Sequence, residues 1–192
     1  GTVSDAVTFR AWDQTTGSAG TYVDPGAGGG TSAFSGMTGT VKTLSASIVI
    51  TKVNDAPVAS GSASLAAINE DTTSPSGSTV SSLFTSNFSD ATDAVTSGSS
   101  ANTLAGVAIT SYTADAAKGT WQYSTNSGTT WTAITSISSA SSALALKAAD
   151  MVRFVPASNW NGSAPTLTVA LIDSSATVTT GTLNVSSRGG TT

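Results

Sequence analysis

The chain contains no cysteine and no histidine among its 192 residues, and only 9% of them are charged. Each shortage excludes something. Without His or Cys there is no Ser-His-Asp or Cys-His triad, no imidazole or thiolate metal site, and no haem or iron–sulfur ligation by those residues. No disulfide staples the fold, so it must rest on its core or on bound ions. The 7 Lys and Arg stand against 11 Asp and Glu, a net charge of -4, and a weakly acidic chain with scattered basic residues is a poor nucleic-acid binder. An average soluble domain has roughly 25% charged residues, so salt bridges do not build this surface. No apolar run approaches the ~18 residues that a transmembrane helix needs. The composition points away from an enzyme.

What the chain does have is hydroxyls and a patterned set of apolar residues. Ser and Thr supply about a third of it, with 19 Gly, yet 39% is hydrophobic and there are four Trp. The hydrophobics alternate: "TVKTLSASIVITKV" places Val41, Leu44, Ile48 and Ile50 in turn, and "MVRFVP" puts Met151, Arg153 and Val155 on one face. Period-two alternation rich in Thr, Val and Ile is what a half-buried strand needs. Strands are expected near Val7–Trp12, Gly39–Val53, Ser64–Ile68, Leu104–Tyr112, Thr120–Ser124, Thr130–Thr135, Ala143–Lys147, Met151–Val155, Leu167–Ile172 and Thr177–Val185. Clusters of Gly, Ser, Asn, Asp and Pro separate them, the usual chemistry of turns. In "GTWQYSTNSGTTWTAIT", Asn126-Ser127-Gly128 reads as a tight hairpin whose Asn and Gly tolerate positive φ. One short helical turn fits "TVSSLFTSNF". The expected class is all-β, a Greek-key β-sandwich.

An internal repeat organises the chain. "TFRAWD" (Thr8–Asp13) matches "TVALID" (Thr168–Asp173), and the same spacing lays Gly29-Gly30-Thr31 on Gly189-Gly190-Thr191. Residues 1–56 therefore read as the C-terminal part of one repeat, and residues 57–192 as the next sandwich without its final strand. The boundary is Asn54-Asp55-Ala56-Pro57, where Pro57 breaks the ladder and keeps Ala56 extended. A missing edge strand leaves unpaired backbone and an open core seam. The strand with the right pattern is Gly39–Val53, carried by Thr40, Val41, Leu44, Ile48, Ile50 and Val53. Three arrangements fit: the strand folds back on its own chain, it enters a neighbouring copy by donor-strand complementation, or the termini are a cut from a longer tandem array.

"VNDAPV" (Val53–Val58) followed by "AINEDT" (Ala67–Thr72) resembles cadherin-like tandem repeats of very large secreted bacterial adhesins, including the RTX type. The likeness continues through "NFSDATDAV", "GVAIT", "GTWQYSTNSGTTW" and "VRFVPASNWNG", and covers nearly the whole chain. The resemblance implies a cadherin- or immunoglobulin-like sandwich strung end to end, secretion, and a place on the bacterial cell surface. Its role would be to space and stiffen an array that carries a ligand-binding tip. The partners it implies are neighbouring copies or repeats, head to tail. It also implies calcium at the junctions. The matching residues are Asn54 and Asp55 in the linker, Glu70 and Asp71 after the first strand, and Asp13 late in the repeat. Asp90 and Asp93 can add oxygens. Calcium takes 6–8 oxygen ligands at roughly 2.3–2.6 Å. The chain departs from cadherins in lacking an Asp-Arg-Glu strand motif, and it has no EF-hand loop or glycine-rich nonapeptide repeat. Turn capping is the structural alternative for Asp55 and Asp71.

Other constellations point less far. Trp12, Trp121, Trp131 and Trp160 suit the sandwich core, with a sugar-stacking platform for glycan contact as their second use. Asp90 with Asp93 has the spacing of a loop rather than of a glycosidase pair across a cleft. "GAGGG" at Gly26–Gly30 has no Lys-Ser/Thr behind it and reads as a turn, not a phosphate loop. A self-assembling filament or sheath subunit is the alternative to the adhesin spacer, and a carbohydrate-binding adhesive module the third reading.

Overall fold

The structure, a computed structural model, describes residues 2–9, 12, 18–21 and 44–187. The chain divides into two units, Gly1–Lys52 and Val53–Thr192. In the first, Thr2–Phe9 (β1) pairs antiparallel with Leu44–Val49 (β2). Phe9 opposes Leu44, Thr8 opposes Ser45 and Val7 opposes Ala46, and the register shifts between Val3 and Val7. Among the described residues β2 ends at Val49, short of the expected Val53. Val49 opposes Thr2, where the described part of β1 begins. Ile48, Val49, Ile50 and Val53 are exposed. Thr40 and Val41 lie outside the described residues.

The second unit is built of antiparallel sheets with little helix. Its first elements are Val58–Ala59 (β3), Ser78–Thr79 (β4), the short helix Val80–Phe84 (α1) and Phe88–Ser89 (β5). Leu104–Ser111 (β6), Gly119–Ser124 (β7), Thr132–Ala133 (β8) and Ala143–Lys147 (β9) follow. Met151–Pro156 (β10), Thr168–Asp173 (β11) and Gly181–Leu183 (β12) complete the order. One sheet runs β4-β10-β7-β8 and the other β11-β6-β9-β12, while β3 and β5 form a separate pair. Among the described residues no helix is long and apolar enough to cross a membrane.

The sequence dictates most of this locally. Val107 and Ile109 of β6 and Leu146 of β9 are buried from one sheet, Val152 of β10 from the other, and Val80, Tyr112 and Ile134 complete the core. Trp121, Tyr123, Leu144 and Val169 pack against it. On β10 the buried residues are Val152 and Phe154, so Met151, Arg153 and Val155 form the outer face of that strand. The β6–β9 ladder sets Ala108 against Ala145, both fully buried, which lets the centre of its sheet be covered closely. Gly119 opens β7 at φ +140, where an added Cβ would meet the Val155 carbonyl at 2.3 Å. Only glycine sits there without strain.

Two local expectations are corrected. In the β7–β8 hairpin the positive φ angles fall on Ser127 and Gly128, not Asn126. Asn126 acts through its side chain: Oδ1 accepts from the Thr130 N–H at 2.9 Å and from the Ser124 hydroxyl at 2.9 Å. The expected strand Ser64–Ile68 does not form. Three of its five side chains are Ser or Ala, Ile68 is exposed and Leu65 alone is half-buried, so it is weakly held. The Asn87 amide donates to the Ser60 carbonyl at 2.6 Å just before it.

Candidate functional site

Four of the expected acidic and amide residues meet on one side of the second unit. β5 is followed by Asp90, which precedes a 3₁₀ turn over Ala91–Asp93 closed by the Asp93 N–H on the Asp90 carbonyl at 3.2 Å. That turn buries both carboxylates, to 4% exposure for Asp90 and 3% for Asp93. The linker reaches the same place. The Asp55 N–H donates to Asp93 Oδ1 at 3.0 Å, and Asn54 Nδ2 contacts Asp173 Oδ2 at 3.5 Å. Asp173, at the end of β11, is 5% exposed, and its Oδ1 accepts from the Ser175 N–H at 2.7 Å. Asn102 ties the set together. Its N–H donates to Asp90 Oδ2, and its Nδ2 donates to Asn54 Oδ1 and to Asp93 Oδ2, the last at 3.1 Å.

The electrostatics of this cluster follow from its inventory. Three nearly buried carboxylates are held by amide donors, and Asp90 Oδ1 has no hydrogen-bond partner. A buried carboxylate oxygen without a donor is costly. The Asn102 NH₂ stands between two oxygens, where positive potential is favoured. The donor chemistry is all oxygen on the acceptor side, which fits a hard cation such as calcium. Among the described residues no group of three or more acidic side chains stands close enough to hold a metal ion as arranged. The amides of Asn54 and Asn102 lie between the carboxylates. Turning the Asn102 amide would present its oxygen instead of its nitrogen, a change of almost no volume.

The remaining predicted ligands are elsewhere. Asp71 sits at φ +63 in a turn, and its Oδ1 accepts from the Asn159 N–H at 2.7 Å, a capping role. Glu70 is exposed on the wall of the cavity described next. Their position after the first strand does not bring them to Asp93, because the chain between them and β5 first crosses α1. Asp13 lies outside the described residues. Sequence reasoning missed Asn102 and Asp173. Asp173 had a signal, since it is the repeat equivalent of Asp13, whereas Asn102 in "SSANTL" had none.

A second feature lies along the flank between the edge strands β4 and β11. Residues 59–70 pass beside it without forming a strand along β11. They leave a cavity of about 850 Å³, lined among others by Phe84, Trp121, Phe154, Trp160, Leu167 and Val169. The aromatic rings meet edge to face: Phe154 lies 5.4 Å from Trp121 and 6.0 Å from Trp160. The Trp121 indole donates to the Pro165 carbonyl at 2.7 Å. Trp131 lies apart from this trio in its contacts, stacked under the Arg153 guanidinium at 4.1 Å. Compared with protein families, with curated proteins and with solved structures, the chain matches none of them.

Proposed function

We propose that the chain is a structural repeat of an extracellular bacterial surface adhesin, a cadherin-like Greek-key sandwich that spaces and stiffens a tandem array. The observation that supports this reading is the fastening of the linker. Asn54 and Asp55, the residues of the repeat boundary, are bonded into the Asp90–Asp93–Asn102–Asp173 cluster of the sandwich they precede. A spacer needs its linkers held, because a free linker bends and an array of free linkers coils. Calcium is the cation that suits the cluster. Asp90, Asp93 and Asp173 would hold it by their carboxylates, with the side-chain oxygens of Asn54 and Asn102. The residues themselves fix the linker N–H, orient the turn at Asp93 and seal it from water.

Thermal unfolding in calcium and in chelator tests this. A ligand bound only by the folded state at 100 times its Kd stabilises by about 2.7 kcal/mol, so the wild type should melt higher in calcium. Asp90→Asn keeps the acceptor for the Asn102 N–H and removes the charge. It should melt in chelator at or above the wild-type temperature and lose most of the calcium shift. Equal melting of the wild type with and without calcium would remove the cation from the reading.

A further inference from the structure

We propose that the open flank of the second unit is an acceptor site for strand β2 of a second copy of this chain, taken up along the outer edge of β11. The inference rests on reading the chain as a repeat. Among the described residues β11 is the end strand of its sheet, bonded to β6 on one side. Beside it, Leu167, Val169 and Leu171 line the apolar cavity. The occupant is identified by the repeat. Thr8–Asp13 and Thr168–Asp173 carry the same pattern, and the first of these already overlaps a paired strand: β2 lies antiparallel on β1 with Leu44 opposite Phe9 and Ser45 opposite Thr8. Carried over to the second unit, that register sets Leu44 opposite Val169, Ser45 opposite Thr168 and Ala46 opposite Leu167. The continuing strand then runs toward Pro165 and Ser163, which line the same cavity.

The two acceptors are unequal. Among the described residues β1 and β2 pair with an irregular register, and Ile48 at 59%, Val49 at 66% and Ile50 at 56% are exposed. β11 belongs to a four-stranded sheet that faces a core, and its flank has room for apolar side chains. A β2 strand arriving from another copy therefore gains both a ladder and burial, which is strand addition at an exposed edge. Head-to-tail assembly follows, since each copy carries one donor and one acceptor.

The chain has no cysteine, which makes the register readable by disulfide trapping. Directly opposed residues in an antiparallel ladder have Cα atoms ~4.5–5.5 Å apart, within disulfide reach. One chain carrying Ser45→Cys is mixed with another carrying Thr168→Cys and mildly oxidised, with melting curves confirming that each variant folds as the wild type does. The expected product is a heterodimer several-fold in excess of either homodimer, and the double variant should give a covalent ladder. Homodimers and heterodimers in statistical proportion would overturn the proposal. So would a double variant that closes only within one chain. Sedimentation velocity of the wild-type chain supplies a label-free check: a concentration-dependent series of species supports strand exchange, and a single monomer at all concentrations overturns it. The calcium shift is read on the same proteins and does not depend on the outcome, so failure here is separable from failure of the spacer reading.

Discussion

On the linker side of the second unit, Asp90, Asp93 and Asp173 are buried to 5% exposure or less, and loops deliver N–H groups to nearly all their oxygens. Along the flank between β4 and β11, aromatic and aliphatic side chains line about 850 Å³ of open space. The polar region is closed and the apolar region is open, the reverse of the usual economy of a small domain. The reason lies in which residues the loops carry. The segment around Asp90–Asn102 is dense in Asp, Asn and Ser, whose short polar side chains reach nearby backbone. The segment of residues 59–70 is mostly Ser, Ala and Gly, which fills little volume. Polar closure needs only short side chains in the right turn, whereas apolar closure needs bulk that this loop does not bring.

The largest expected effect separates the sealed core from that flank. Leu146 is fully buried, and Leu146→Ala should cost about 3 kcal/mol through lost contacts and a dry cavity. Leu171 lines the open space, so water can enter the volume its truncation vacates, and Leu171→Ala should cost about 1 kcal/mol, measured by chemical denaturation. Equal costs would mean that the flank is as tightly packed as the core, and the comparison would break. If β2 of a second copy fills the flank, the Leu171→Ala cost should also grow with protein concentration.

Asp93→Ala is the corresponding test on the polar side. It removes the acceptor of both the Asp55 N–H and the Asn102 amide, leaving two donors in a buried turn. The expected loss is about 2 kcal/mol at the same denaturant slope. A loss within 0.5 kcal/mol, on the order of an exposed hydrogen bond, would mean that the linker is not fastened by this residue.

The sequence made some of this legible and hid the rest for physical reasons. Strands rich in Val, Ile, Leu and Phe were readable because burial decides them: Ala143–Lys147 forms as expected, and β6 and β10 differ from their expected ranges by a residue. In Ser64–Ile68 only Leu65 is half-buried, and Ser64, Ala66 and Ala67 give a strand little to bury. The local turn Asp90-x-x-Asp93 could be found because both residues are near in sequence. Its partner Asn102 is brought by a loop whose path no periodicity encodes, and Asp173 arrives at the end of β11, distant in sequence. Glu70 and Asp71 illustrate the opposite error, an acidic pair whose neighbours in space are Asn159 and the cavity rim rather than the linker.

The smallest expected effect compares two buried oxygens that make no full hydrogen bond among the described residues. Asp90 Oδ1 lies among other oxygens and amides, where a cation would satisfy it, whereas the Tyr112 hydroxyl lies at the apolar core, where it makes no full hydrogen bond and only a weaker approach to the Trp121 backbone. Burial raises the Tyr112 phenol above its ordinary value near 10.0. The neutral phenol is therefore favoured by folding. Its contribution is fully present below pH 10, and it is lost as the pH rises from there through the folded-state value, because the unfolded chain ionises first. Tyr112→Phe removes an unsatisfied hydroxyl while keeping the ring, so it should change stability at neutral pH by no more than about 0.5 kcal/mol, with a gain as the favoured sign. Above pH 10 the variant should lose stability less steeply than the wild type. A Tyr112→Phe loss of 2 kcal/mol at neutral pH, on the order of a broken buried hydrogen bond, would show that the hydroxyl is satisfied. Asp90 Oδ1 would then be the one partnerless oxygen left of the two.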